Sequence, residues 1–121
     1  MELPEAYRGK FAMTSSRAKH SLGVCYMKMR MNDEAEKYLE EDLRFCEKRR
    51  LQSNPTTECH RLMIVMNRQF FQACVAEGQT HLTLGTLQLH LHTVASYQQA
   101  QRHYESALNL FKSAGEHISK I

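Results

Sequence analysis

The side chains best able to do chemistry in this 121-residue chain are its seven histidines and four cysteines. A transition-metal site would use them as ligands, and an acyl- or group-transfer site would pair a thiolate with an imidazole base. Their spacing favours neither. His90 and His92 are two residues apart, which on a helix sets them about 200° apart and unable to share a metal. His81 and His103 have no Cys, Asp or Glu at ligand spacing beside them, and the adjacent Cys59 and His60 supply only half of a four-ligand zinc site. Cys25, Cys46, Cys59 and Cys74 follow one another at 21, 13 and 15 residues with no CxxC pair. Each falls in an apolar periodic stretch, as a buried free thiol would. No glycine-rich phosphate loop, GxSxG elbow or HExxH helix is present. The acidic group Glu34, Glu36, Glu40, Glu41 and Asp42 reads as a solvated helix face. No catalytic residue, cofactor or metal is therefore expected.

The elements that carry these side chains are expected to be helices. Five Gly and two Pro give sparse punctuation, whereas a sandwich or barrel needs turn residues every few positions. Thr14, Ser15 and Ser16 offer caps for a first helix to about Met29, with Ala18, Leu22, Cys25, Tyr26 and Met29 as its inward stripe. Asn32 or Asp33 can cap a second helix to about Leu51, whose stripe is Ala35, Tyr38, Leu39, Leu43 and Cys46. Its final cations Lys48, Arg49 and Arg50 complement the helix dipole. Asn54 and Pro55 give a legible start for a third helix over 55–76, which carries a wide apolar face including Phe70, Phe71, Ala73 and Cys74. Gly78 either ends it before a fourth helix to about His92 or is tolerated inside one longer helix. Thr93 to Ser96 form a turn with Ser96 as cap, and a fifth helix runs from Tyr97 to Ala114 with Gly115 as its C-cap.

The second and last helices are alike. Shifted by 65 residues, Ala35 falls on Ala100, Leu39 on Tyr104, Glu40 on Glu105, Leu43 on Leu108 and Cys46 on Phe111. The preceding helices match through Leu22-Gly23 and Leu84-Gly85. Recurring helical pairs are the mark of a solenoid. Leu22, Gly23 and Tyr26, followed by Ala35 and Leu39, resemble the tetratricopeptide repeat, whose pattern is Leu-Gly-x2-Tyr, a later Ala and a large apolar residue four further on. The resemblance covers 16–49 well and 78–114 less well. In the second unit Gln88 replaces the tyrosine, and three extra residues separate Gly85 from Ala100. Residues 55–76 match no repeat position.

This resemblance implies an all-α domain of about five helices, stacked as antiparallel hairpins in a short right-handed solenoid, with 1–121 one domain, either whole or a fragment of a longer solenoid. Leu22, Gly23, Tyr26, Ala35, Leu39, Leu84, Gly85, Ala100, Tyr104 and Ala107 would pack the repeats. The concave face would present Arg17, His20, Val24, Met27 and Lys28 from the first unit, and Gln79, Leu82, Thr86, Leu89 and His90 from the second. Its expected activity is docking of a protein partner, as scaffold or adaptor; the basic and apolar first set suits an acidic, partly hydrophobic helix or peptide. The alternative is self-association, with the apolar middle helix against a second copy. The formal charge of +3 is too small to imply a nucleic-acid partner. No apolar run approaches the roughly 18 residues of a membrane span. Unpaired cysteines, with Glu2 and Glu5 interrupting any leader, set the expectation of a cytoplasmic or nuclear compartment.

Overall fold

A computed structural model describes residues 5–52 and 60–119, with side chains over 13–52 and 68–116. Its elements are all helices: α1 (Glu5–Lys28), α2 (Asn32–Gln52), α3 (His60–Leu89) and α4 (Val94–Ser119). The all-helical expectation holds, but the described helices number four where five were expected. The two middle helices are one, because Gly78 lies inside α3 and does not break it. Its missing Cβ is used: one placed there would lie 2.6 Å from the Phe111 ring of α4. The start signal at Asn54 and Pro55, like Cys59, lies outside the described residues. Gly115 is likewise inside α4, which continues to Ser119.

Helix ends follow local chemistry. Arg30 takes a left-handed φ of 63°, and its amide donates to Met27 O at 3.0 Å while that of Met31 donates to Tyr26 O at 2.9 Å. This pair of bonds closes α1. His92 takes the same left-handed conformation after α3, with φ 55°. The cap of α4 is Thr93, not Ser96. Thr93 N donates to Ser96 Oγ and Ser96 N donates to Thr93 Oγ1, both at 3.0 Å, a reciprocal capping box.

The helices pack in chain order, α1 on α2, α2 on α3 and α3 on α4, while α1 only grazes α3. Two close crossings set the hairpins. A Cβ on Gly23 would fall 2.6 Å from Leu39 Cγ, and one on Gly85 would fall 2.7 Å from the Tyr104 ring. Equivalent glycines thus receive equivalent large residues, and Ala35, Ala100 and Ala107 are buried beside them. One cluster joins Ala35 and Leu39 of α2 to Leu84 and Leu87 of α3, with Tyr26, Met27 and Leu43 against it. A second joins Phe70 and Cys74 to Ala114. The wide apolar face of the described part of α3 is covered by α2 on one side and α4 on the other.

The stripe expected to bury α1 is the clearest correction. Ala18, Leu22, Cys25 and Met29 are exposed, Leu22 by 44% and Met29 by 59%. The helix is rotated so that Ser16, His20, Gly23, Tyr26 and Met27 face α2 and α3 instead, because Gly23 must meet Leu39 and Ser16 must meet Asp42. Leu22 therefore does not pack the repeat from within. Among the described residues no helix is long and apolar enough to cross a membrane.

Candidate functional site

The most developed polar site centres on Asp42, which was expected to face water and is 4% exposed. It sits in α2 between Leu39 and Cys46, on the same inward row as Ala35. A spacing of 35, 39, 42 and 46 is one helical face, and that signal was present in the sequence. Three helices converge on its carboxylate. From α1, Ser16 donates its hydroxyl to Oδ1, and His20 Nδ1 lies 3.0 Å from Oδ2. From α3, Thr80 donates to Oδ2 at 2.6 Å. The Cys46 thiol approaches Oδ1 at 3.8 Å. Burial by itself would raise the Asp42 pKa, but hydrogen bonds from His20, Ser16 and Thr80, with the charge of His20, outweigh it and leave the carboxyl below its ordinary 3.8.

His20 continues the chain of contacts, its Nε2 lying 3.2 Å from Thr83 Oγ1. Carboxylate, imidazole and hydroxyl in that order form the relay of a hydrolytic triad. What surrounds the hydroxyl argues for a structural role. Thr83 sits inside α3 and donates to Gln79 O at 3.1 Å, and the neighbouring amides are engaged in the same helix, leaving none to hold an oxyanion. The two buried thiols are held protonated: burial, then the Asp42 charge, pushes Cys46 up to about 12, and burial pushes Cys74 to about 11.

A pocket of about 130 Å³ opens above this cluster, where α1 and α3 diverge. Arg17 and His20 from α1, Phe45 and Arg49 from α2 and Gln79 from α3 line it. A second pocket of about 240 Å³ lies at the other end of the described part of α1, lined by Met27, Lys28, Arg30, Asn32, His90 and His92. The two pockets bring together six of the ten residues expected on a binding face: Arg17, His20, Gln79, Met27, Lys28 and His90. The other four are elsewhere. Val24 is half-buried and Leu82 is 40% exposed outside either pocket. The Thr86 hydroxyl meets Tyr104 Oη at 3.2 Å in the α3–α4 junction. Leu89 borders a separate apolar groove on α4.

Two further arrangements escaped sequence reasoning. Arg50, read as a complement to the helix dipole, also reaches across to the buried Glu77, its Nε 2.6 Å from Oε2. His81 and His103 come together, their Nδ1 atoms 2.9 Å apart between α3 and α4. Twenty-two positions separate them in the chain, so no local spacing reveals the pair. Among the described residues no group of three or more His, Cys, Asp or Glu could hold a metal ion, and this pair supplies two ligands.

Burial, then the charges of His103 and Arg50, lowers the His81 pKa from 6.5 to about 4, and burial lowers that of His103 as well, against the pull of Glu40. The unfolded chain binds the extra protons first. The pair's full contribution is thus present above about pH 6.5, and stability is lost as pH falls towards 4. The thermal midpoint should drop by about 5 °C between pH 6.5 and 4.5 through this pair. His81→Leu should flatten that stretch of the pH profile, and an unaltered slope in the variant would remove the pair as its source.

Comparison with protein-family models, with curated proteins and with solved structures found no match.

Proposed function

We propose that the chain is a protein-binding module, a divergent tetratricopeptide-like pair of hairpins that receives an acidic helix or extended peptide along the cleft between α1 and α3. The hairpins repeat the same crossing, Gly23 on Leu39 and Gly85 on Tyr104, which favours a right-handed stacked arrangement with that cleft on its concave side. One observation carries the reading of the partner. The cleft's two pockets are lined by Arg17, Arg49, Lys28, Arg30 and five imidazole or amide side chains, and their one acid, Asp42, is already engaged by Ser16, His20 and Thr80. Four cations outnumber that single carboxylate, so an acidic partner is steered to the cleft and an acid-poor one is not. Met13, Phe45 and Met27 supply apolar contact beside the cations.

The module acts by holding a partner in place, as scaffold or adaptor. Affinity capture from cell extract with this chain as bait, followed by titration of the captured protein, tests it. Arg17→Glu with Lys28→Glu should weaken that affinity by about tenfold or more, a loss of about 1.4 kcal/mol. Both side chains are exposed, so the melting temperature should barely move. Equal affinity of the double variant would remove the cleft as the docking face.

A further inference from the structure

The two hairpins correspond residue by residue. Leu22, Gly23 and Arg30 fall on Leu84, Gly85 and His92 at a spacing of 62, while Ala35, Leu39 and Leu43 fall on Ala100, Tyr104 and Leu108 at 65. In the first hairpin, Ala35 and Leu39 receive Leu84 and Leu87 from α3, with Leu43 alongside, and the cluster is closed. In the second, the counterparts Ala100, Tyr104 and Leu108 line an open, largely apolar groove of about 380 Å³ together with Tyr97 and Leu89. Leu108 is 57% exposed there. At the other end of the packing order, the counterparts of Leu84 and Leu87 on α1 are Leu22 and Cys25, both exposed. They belong to the stripe whose periodicity predicts burial and which the fold turns outward.

Each molecule therefore displays counterparts of both halves of its own α2–α3 junction, one on α4, where Tyr97 and Leu108 are exposed beside the buried Ala100, and one on α1, where Leu22 and Cys25 are exposed. Charge does not oppose their meeting: the groove's one charged lining residue is Glu105, while the sequence from Ala6 to Asn32 holds Arg8, Lys10, Arg17, Lys19, Lys28 and Arg30 and no acid.

We propose that this chain associates with further copies of itself head to tail, the outer face of α1 from one copy lying on α4 of the next, with Leu22 and Cys25 seated in the groove beside Tyr104 and Leu108. The contact joins two different patches and leaves one of each free, so it extends the assembly rather than closing it at two. It repeats the internal junction between the hairpins and continues their stacking. The contact uses the outer face of α1 and leaves Arg17, Lys28 and the cleft clear, so its success or failure is separate from that of the docking function.

Sedimentation velocity on the full chain, up to about 1 mM, tests this with two variants, Leu22→Glu and Leu108→Glu. Both positions are exposed, and circular dichroism should show unchanged helicity. The wild-type mass should rise with concentration past that of two chains. Each variant alone should remain a monomer, because one of its two ends is blocked. Mixed together, the variants should form a one-to-one dimer that grows no further, since the intact groove of Leu22→Glu accepts the intact α1 of Leu108→Glu. A wild-type chain that stays monomeric throughout, or that stops at a dimer, overturns the proposal. So does association that survives in either variant alone, or a mixture that stays monomeric.

Discussion

Asp42→Ala is expected to destabilise the fold by about 3–5 kcal/mol, a large share of what holds a domain of this size together. The substitution leaves the Ser16 hydroxyl, the His20 ring and the Thr80 hydroxyl facing one another around a vacated space. Each was bonded to the carboxylate, and unmade bonds of buried groups cost more than made ones contribute. Asp42→Asn keeps the volume but loses the charge, and should cost about half as much. The second hairpin suggests the remedy. Ser16, Asp42 and Cys46 correspond to Gly78, Ala107 and Phe111, an apolar set that fills the same crossing with a ring. Adding Ser16→Gly and Cys46→Phe to Asp42→Ala should therefore recover part of the loss in urea unfolding. Because the folded carboxyl titrates below its ordinary 3.8, its contribution is complete above that value and disappears as pH falls through the lower folded one. If Asp42→Ala melts within about 1 kcal/mol of wild type, the carboxylate is not the junction of three helices.

Gly23→Leu should cost about 3 kcal/mol or more, and even Gly23→Ala about 1–2 kcal/mol. A methyl group at position 23 meets Leu39 Cγ at 2.6 Å, Cδ2 at 2.9 Å and Ala35 O at 3.3 Å. Leu39 is 0% exposed, so it has no empty side to retreat into, and α1 must lift from α2. Alanine's better helix propensity returns up to about 1 kcal/mol, which is why the smaller substitution is the milder. Gly115 supplies the contrast within one molecule. A Cβ there meets nothing within 4 Å, so Gly115→Ala should stabilise by about 0.5–1 kcal/mol. Gly85 lies between these cases, since the half-buried Tyr104 can swing outward. Chemical denaturation of the alanine variants reads the order directly. Equal stabilisation at 23 and 115 would mean that the first two helices do not approach as described.

Much of this architecture was legible in the chain. Few breakers and helical periodicity gave the helices, and the pairing of Leu22-Gly23 with Leu84-Gly85 gave the two crossings. The face of α1 was misread for a physical reason. Periodicity reports an apolar stripe but not which neighbour covers it, and here the mixed row Ser16, His20, Gly23 and Met27 turns inward. Gly78 was compatible with a helix end or with the inside of one longer helix, because a lone sequence cannot show the Phe111 ring that fills the space left by its side chain. Asp42 was grouped with Glu40 and Glu41 by charge, though its place in the row 35, 39, 42 and 46 sets it apart. The cleft was assembled in part: six residues of the expected binding face gather in it, while Thr86 turns to Tyr104 and Leu89 to α4. The pairing of His81 with His103 depends on the register between two helices, which no local rule fixes.

The unbroken run of α3 has a mechanical consequence. At 30 residues it is a rod about 45 Å long, shared by both hairpins: α2 lies against one flank and α4 against the other. Gly78, the residue where such a rod would bend most easily, is braced by the Phe111 ring. The surface that α2 rests on is thus a stiff axle, kept straight from its far flank by α4.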